Sequence, residues 1–191
     1  MAKTGSQSML IRVEAFFQRM NRLAGKFLSG ILVLMALNVF VDVLMRYFFH
    51  NSSVGMQEME WHLFSIVILF GVSVSLLDEA HVRVDFLYDR FSDGKKAIIN
   101  VIGTIFFLLP LALLILFGSF DFVNDAYQIN EISEDPGGLP YRWIIKGMIP
   151  LAFLFLIFTA FGYTVKNINI YRRHAESKMN NRQFSAREEN R

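Results

Sequence analysis

Two residues of opposite charge, Asp42 and Arg46, lie four positions apart near the end of a long apolar run. In a helix this spacing places both side chains on one face, where pairing lowers the cost of charge near lipid. The pair could form an ion or substrate site, although a structural ion pair or a contact with a neighbouring subunit is the favoured interpretation. Asn38, one turn away, could extend the pair or hydrogen-bond across helices. It does not make a sodium site, which needs several oxygens converging from unwound backbone.

A second pair of charged residues, Glu58 and Glu60, stands at the start of another apolar run. Two carboxylates could perform acid–base chemistry. These, however, would lie at the N-terminus of a helix, where the helix dipole favours acidic residues. Helix capping and contact with a partner are therefore the predicted roles of this pair.

Metal, haem and covalent chemistry are disfavoured by the placement of histidine and the absence of cysteine. Axial haem ligands must face one another within a bundle, whereas the four His of this chain fall at different depths: His50, His62, His81 and His174. A zinc site would need Cys ligands or an HExxH pattern, and neither occurs. There is also no Gly-rich phosphate loop and no nucleophile elbow. The sequence thus predicts no catalytic residue, no metal site and no cofactor.

These residues are carried by four long apolar runs in a chain that is 53% hydrophobic and contains 20 Phe. The runs cover residues 27–48, 59–77, 97–120 and 143–165. Each approaches the roughly 20 residues that a helix needs to cross a hydrocarbon layer of about 30 Å. Because unpaired backbone amides are too costly in lipid, each run should be a helix. The sequence predicts an all-α integral membrane protein with four transmembrane helices.

Lys and Arg are concentrated before the first run, between the second and third, and after the fourth. The other two connections are acidic, with only Arg46 and Arg142 at their edges. Since Lys and Arg are retained on the cytoplasmic side, both termini and the middle connection should be cytoplasmic. The same sorting accounts for the net charge of +2 without nucleic-acid binding.

The segments outside the spans divide the chain into residues 1–26, a membrane domain at 27–165, and a polar tail at 166–191. Residues 9–24 have an apolar stripe flanked by cations, which favours an in-plane helix on membrane lipids. An upstream extension of the first span is the alternative. A similar stripe at residues 84–91 predicts a second in-plane helix. The tail should be disordered beyond about Ala175.

Two pairs of small residues, Gly25 with Ser29 and Gly71 with Ser75, have the spacing that permits close helix contact. Pro110 and Pro150 lie inside the third and fourth runs, where a missing N–H should bend each helix.

An ordered set of residues resembles the small membrane subunit (DctQ type) of tripartite ATP-independent periplasmic, or TRAP, transporters. In chain order the matching residues are Arg46-Tyr47-Phe48-Phe49, Glu58, Phe70-Gly71, His81-Val82-Arg83-Val84-Asp85, Glu131-Ile132-Ser133, Leu139-Pro140, Trp143 and Pro150. The resemblance covers about residues 25–165. Gln57-Glu58 departs from it, since many members carry two acidic residues there.

The resemblance implies an accessory subunit in a bacterial inner membrane. In the family, a periplasmic binding protein delivers an organic anion, such as a carboxylate or sulfonate, to a two-subunit membrane complex. The large subunit holds the sodium and substrate sites and moves as an elevator, while the small subunit braces it and helps dock the binding protein. Candidates for subunit contact are Asp42, Arg46, Glu58, Gly71, His81, Arg83, Asp85 and Trp143. Candidates for docking are Glu131, Glu134, Asp135 and Arg142.

Two other functions remain open on the residues alone. A self-sufficient four-helix efflux transporter would need a membrane-embedded carboxylate, for which Asp42 is the candidate. A membrane anchor of a redox complex would be recognised by a Soret band in the purified protein.

Overall fold

The computed structural model describes residues 2–78 and 91–189, with side chains for 9–78 and 91–179. All regular structure in these ranges is helical. The helices are α1 (Ala2–Phe48), α2 (Val54–Leu77), α3 (Asp93–Gln128) and α4 (Trp143–Glu189). All four are long and apolar enough to cross a membrane. The predicted all-α architecture with four spanning helices is confirmed.

Most apolar side chains of the bundle point outward rather than into a core. Phe107 of α3 is 76% exposed, and Phe40 of α1 and Leu154 of α4 are also exposed. An exposed apolar surface of this extent would drive aggregation in water, but it suits contact with lipid tails or with another membrane subunit.

Helix α4 is the centre of the bundle, because it packs against α1, α2 and α3. Its contact stripe is formed by Ala152, Leu156, Ala160 and Tyr163, all of which are buried. Two of the four are alanines, which allow the backbones of neighbouring helices to approach closely. Helix α1 packs in addition against α2, so α1, α2 and α4 form a group with α3 resting on α4.

Helix α3 changes its winding just before Pro110. Residues Asp93–Gly103 are α-helical, Thr104–Leu108 form a π-helical segment, and Leu109–Gln128 are α-helical again. Proline lacks the N–H that would close the regular bond to the preceding turn, and π-bulges are one way in which a helix adapts to such an interruption. The Thr104 hydroxyl donates to the Asn100 carbonyl at 2.8 Å beside it. Pro150 lies inside α4 without ending the helix.

Residues 9–24, predicted as an in-plane helix, are instead the continuous beginning of α1. Their apolar stripe packs partly on protein. The centroids of the Phe17 and Phe158 rings lie 4.7 Å apart. Phe17 also lies close to Gly162, where an added Cβ would come within 2.5 Å of the Phe17 ring. The upstream extension is therefore the alternative that the structure adopts, since this segment has its partner in α4.

The tail predicted to be disordered beyond Ala175 is also helical, and α4 continues to Glu189. No Gly or Pro follows Gly162, so nothing in the sequence interrupts the helix once the last span has nucleated it. The helices thus run through both predicted segment boundaries, at residues 27 and 166. Most of the second predicted in-plane helix, residues 84–90, lies outside the described residues, as do His81, Arg83 and Asp85.

Candidate functional site

Glu58 joins the beginning of α2 to the connection between α3 and α4. One carboxylate oxygen accepts a hydrogen bond from the Ser133 hydroxyl, and the other accepts from the Leu139 backbone N–H at 2.5 Å. These partners lie 75 and 81 residues away in sequence. Glu58 therefore bridges two distant segments rather than capping its own helix. We call this arrangement the clasp.

The segment held by the clasp, residues 130–142, is here called the ledge. It folds back on itself through bonds from Ser133 N to Leu139 O at 3.2 Å and from Gly138 N to Asp135 O at 3.0 Å. Gly137 has a φ of +84°, in the left-handed region that glycine adopts without strain. The ledge is thus a compact turn with defined backbone bonds.

Glycines let the ledge lie directly on the clasp and on the first turn of α2. A Cβ at Gly138 would lie 2.4 Å from the Ser133 side chain and 2.9 Å from Glu58 Oε2. A Cβ at Gly55 would lie 3.3 Å from the Gly137 carbonyl oxygen. A side chain at position 138 would consequently push the ledge away from Glu58.

Both ends of the ledge are fixed to the neighbouring helices. Glu131 forms an ion pair with Lys146 of α4, and its carbonyl accepts from Arg142 N at 3.0 Å. The Lys146 ammonium also lies 4.1 Å from the centroid of the Phe122 ring in α3, close enough for a cation–π interaction. Glu131, predicted as a docking residue, is therefore directed inward in this structure.

Glu134 and Asp135 are directed differently from Glu131. Both are exposed, and their carboxylates bond to no residue in the described part of the chain. Ile132 and Tyr141, 65% and 57% exposed, accompany them on the ledge. The predicted docking residues thus come together in one segment, in which Glu134 and Asp135 present exposed carboxylates and Arg142 is half-buried.

Trp143 closes the junction between α3 and α4. Its ring meets that of Tyr127 edge to face, with centroids 5.4 Å apart. This is a favourable arrangement for two aromatic rings, and it brings the last turn of α3 against the first turn of α4. Trp143 therefore joins the two helices that the ledge connects.

Asp42 and Arg46 form the ion pair that their spacing predicts. The Asp42 side chain is 5% exposed and that of Arg46 48% exposed. Asn38 does not extend the pair but donates across to the Met56 carbonyl of α2 at 2.9 Å. No group of three or more metal-ligating side chains occurs in the described residues. Asp42 and Arg46 thus form an ion pair beside the interhelical hydrogen bond of Asn38.

A polar cluster that sequence reasoning missed lies at the opposite end of the bundle. Asn21 of α1 donates to the Val74 carbonyl at 3.0 Å and to Asp78 at 2.9 Å. Lys166 of α4 donates to the Leu77 carbonyl at 3.1 Å. Two carbonyl groups in the last turn of α2, those of Val74 and Leu77, thus accept hydrogen bonds from side chains of two other helices, which helps to satisfy the helix C-terminus.

The same end contains two further interhelical amide bonds. Asn100 of α3 donates to the Asn167 side chain at 2.8 Å, and Asn169 donates to Glu14 of α1 at 2.7 Å. We call the four asparagines the amide belt: Asn21, Asn100, Asn167 and Asn169. The available signal was the poor helix propensity of Asn within segments that form helices, because such residues are retained where their amides find partners.

The two predicted small-residue faces behave differently. Gly25 lies against Val74, to which an added Cβ would come within 3.6 Å. Gly71 has no atom within 4 Å of an added Cβ, so it makes no close helix contact in the described part of the chain.

Comparison with known proteins identifies the family. The family described as tripartite ATP-independent periplasmic transporters, DctQ component, matches residues 35–169. A protein of Haemophilus influenzae (strain KW20 / Rd) named as a candidate TRAP transporter small permease is 29% identical over 126 residues, 65% of this chain and 78% of that protein. The sialic acid TRAP transporter permease protein SiaT of Haemophilus influenzae (strain 86-028NP) is 24% identical over 132 residues. The alignment covers 69% of this chain but 21% of that longer protein.

The matched range contains Asp42, the clasp and the ledge, together with three of the four residues of the amide belt. The family is a transporter component rather than an enzyme, and a small permease implies a large membrane component as its partner. Four apolar helices make the chain a multi-pass membrane protein. The resemblance seen in the sequence is confirmed, and the chain belongs to the DctQ component family of the tripartite ATP-independent periplasmic (TRAP) transporters.

Proposed function

We propose that this chain is the scaffold subunit of a sodium-coupled TRAP importer in a bacterial inner membrane. Both termini lie in the cytoplasm, and the ledge faces the periplasm. The distribution of Lys and Arg supports this orientation, because the segments on the ledge side are acidic and those on the amide-belt side are basic.

The proposed cargo is an organic anion of the carboxylate or sulfonate class. It is captured by a periplasmic binding protein and handed to the large subunit, which also holds the sodium sites. The name of one relative specifies sialic acid, which is a carboxylic acid. This chain needs no cofactor for the proposed role, which is to brace the large subunit and to receive the binding protein.

The observation that carries the docking role is the ledge itself. A connection of this length would ordinarily be mobile, yet Glu58 and Lys146 fix it to α2 and α4. A fixed ledge that presents Glu134 and Asp135 is suited to receive a protein with a complementary basic surface.

Reconstitution in liposomes tests the proposal. The chain and its cognate large subunit together should accumulate the anion only with an inward sodium gradient and loaded binding protein, and the chain alone should give no flux. Substrate-driven flux by the chain alone would instead favour the efflux alternative, and a Soret band in the purified chain would favour the redox anchor.

The orientation has its own test, because the chain contains no Cys. Single cysteines at Ser53 and Ser92, both exposed, can be treated with a membrane-impermeant thiol reagent in intact cells with a permeabilised outer membrane. We expect labelling of S53C alone. Labelling of S92C but not of S53C would reverse the proposed orientation.

A further inference from the structure

Glu58 lies near the start of α2 but forms its hydrogen bonds with the ledge. Both oxygens of Glu58 are committed to the ledge, one to the Ser133 hydroxyl and one to the Leu139 N–H. A carboxylate needed only at a helix N-terminus would bond to the backbone of its own first turn. The residue at the α2 N-cap, Ser53, makes no such side-chain bond either. The geometry indicates that Glu58 serves the ledge rather than its helix.

We propose that Glu58 is the positioning residue for the periplasmic binding protein: the clasp holds the ledge in the shape on which that protein docks. This inference rests on the proposed function. Its physical basis is pre-organisation. A loop that must be ordered during association costs conformational entropy at that moment, whereas a ledge already held by Glu58 does not.

The acidic residues of the ledge have two different roles, one in fixing the ledge to the bundle and one in docking. Glu131 is turned inward to Lys146, while Glu134 and Asp135 are exposed without a bonded partner among the described residues. Ile132 and Tyr141 add exposed apolar surface beside them. The ledge therefore fits a partner that offers basic groups around an apolar contact.

Charge argues against two other occupants of the ledge. A second copy of this chain would bring the same Glu134 and Asp135 to the interface, where like charges repel. Anionic lipid headgroups would be repelled for the same reason. A soluble protein with a basic docking face has the complementary chemistry.

The test is uptake by the two-subunit complex in liposomes, titrated with loaded binding protein at low and high salt. We expect E58A to raise the half-saturating concentration by about fivefold or more, the lower end of typical coupling between sites. The maximal rate should be unchanged. The rise should persist at high salt, because a loss of ordering is not screened as long-range attraction is. The matched control is E60A. Glu60 lies on the same turn of α2 as Glu58 and forms no bond to the ledge within the described residues.

Two further variants should raise the half-saturating concentration of binding protein less than E58A does. E58Q should behave almost as wild type, because its amide oxygen can accept from Leu139 N while its amide N–H donates to Ser133 Oγ. S133A removes one of the two bonds and should give an intermediate rise. These variants keep the proposal testable if E58A fails to assemble with the large subunit.

A distance measurement separates positioning from a general loss of structure. Spin labels on N51C and P136C, both at exposed positions of the Cys-free chain, should give a narrow distance distribution in the wild-type background and a broad one with E58A. Unchanged half-saturation in an assembled E58A complex would overturn the role of Glu58 and leave the proposed function standing. A wild-type complex that takes up the anion without responding to binding protein would overturn the docking function itself.

Discussion

The two ends of the bundle are held together by different chemistry. At the ledge end a partly exposed carboxylate, Glu58, ties a connection to α2. At the other end neutral amides tie helix to helix, and Asn21 and Asn167 are each 1% exposed. A buried polar group that loses its hydrogen-bond partner cannot bond to water instead. The hydrogen bonds of the amide belt should therefore contribute strongly to the stability of the fold. Water can replace the hydrogen bonds of the clasp. Those bonds should therefore affect the position of the ledge more than the stability of the fold.

The largest expected effect is at the amide belt. N21A removes both hydrogen bonds that Asn21 donates across to α2, to the Val74 carbonyl and to Asp78, and each such bond typically contributes about 0.5–1.5 kcal/mol. We expect a clear fall in the Tm of the purified complex in detergent. Q18A is the control, because the hydrogen bond of Gln18 within the described residues stays inside α1, to Glu14, and this change should alter stability by less than about 0.5 kcal/mol. Equal Tm values for N21A and Q18A would contradict a stabilising role for the belt.

The next effect concerns the contact that anchors the start of α1. G162A would place a Cβ 2.5 Å from the Phe17 ring, and the ring is already packed on Phe158. Overpacking of this kind costs roughly 1–3 kcal/mol, so thermal stability should fall. G147A is the matched control on the same helix, since nothing lies within 4 Å of its added Cβ. Comparable stability of the two variants would mean that α1 and α4 separate easily at this end.

Substitution of a glycine at the ledge end should instead weaken docking of the binding protein, with little change in thermal stability. G138A pushes on Ser133 and Glu58 without removing any charge. We expect it to raise the half-saturating concentration of binding protein as E58A does, with thermal stability lowered by no more than about 1 kcal/mol. If G138A lowered Tm as much as N21A, the clasp would be a structural element of the same kind as the belt.

The smallest expected effect on the protein itself comes from the exposed acids. The double change E134K and D135K should leave thermal stability unaltered and should slow uptake at low concentrations of binding protein. The defect should shrink with added salt, because charge steering is screened over about 8 Å at physiological ionic strength. Glu131 is left unchanged, since reversing it would break its pair with Lys146. A defect that persists at high salt would indicate short-range contacts instead.

Local patterns in the sequence were sufficient for the spans and for Asp42 with Arg46. Hydrophobic length predicts a helix directly, and a spacing of four predicts a shared face. The clasp could not be predicted in this way, because no local rule relates Glu58 to a partner 75 residues away. The sequence also could not predict that Glu131 points inward while Glu134 is exposed. That difference depends on the position of Lys146, which pairs with Glu131.

The amide belt was missed for a related reason. The sequence assigns residues from Lys166 onward to a polar tail outside the membrane domain, yet Asn167 and Asn169 are buried against α3 and α1. Polarity alone does not separate a solvated tail from a helix whose amides bond to neighbours. The start of α1 gives the same lesson, because an apolar stripe beside cations can pack on protein as well as on lipid.

The central position of α4 has a consequence for biosynthesis. Helix α4 is the last of the four helices to leave the ribosome, and α1, α2 and α3 all pack against it. After insertion of the first three helices, α1 and α2 can pair, whereas α3 still lacks the surface on which it rests in the finished bundle. Completion of the bundle therefore depends on the synthesis of α4. A product truncated before Trp143 should be recognised as unassembled and degraded by membrane proteases.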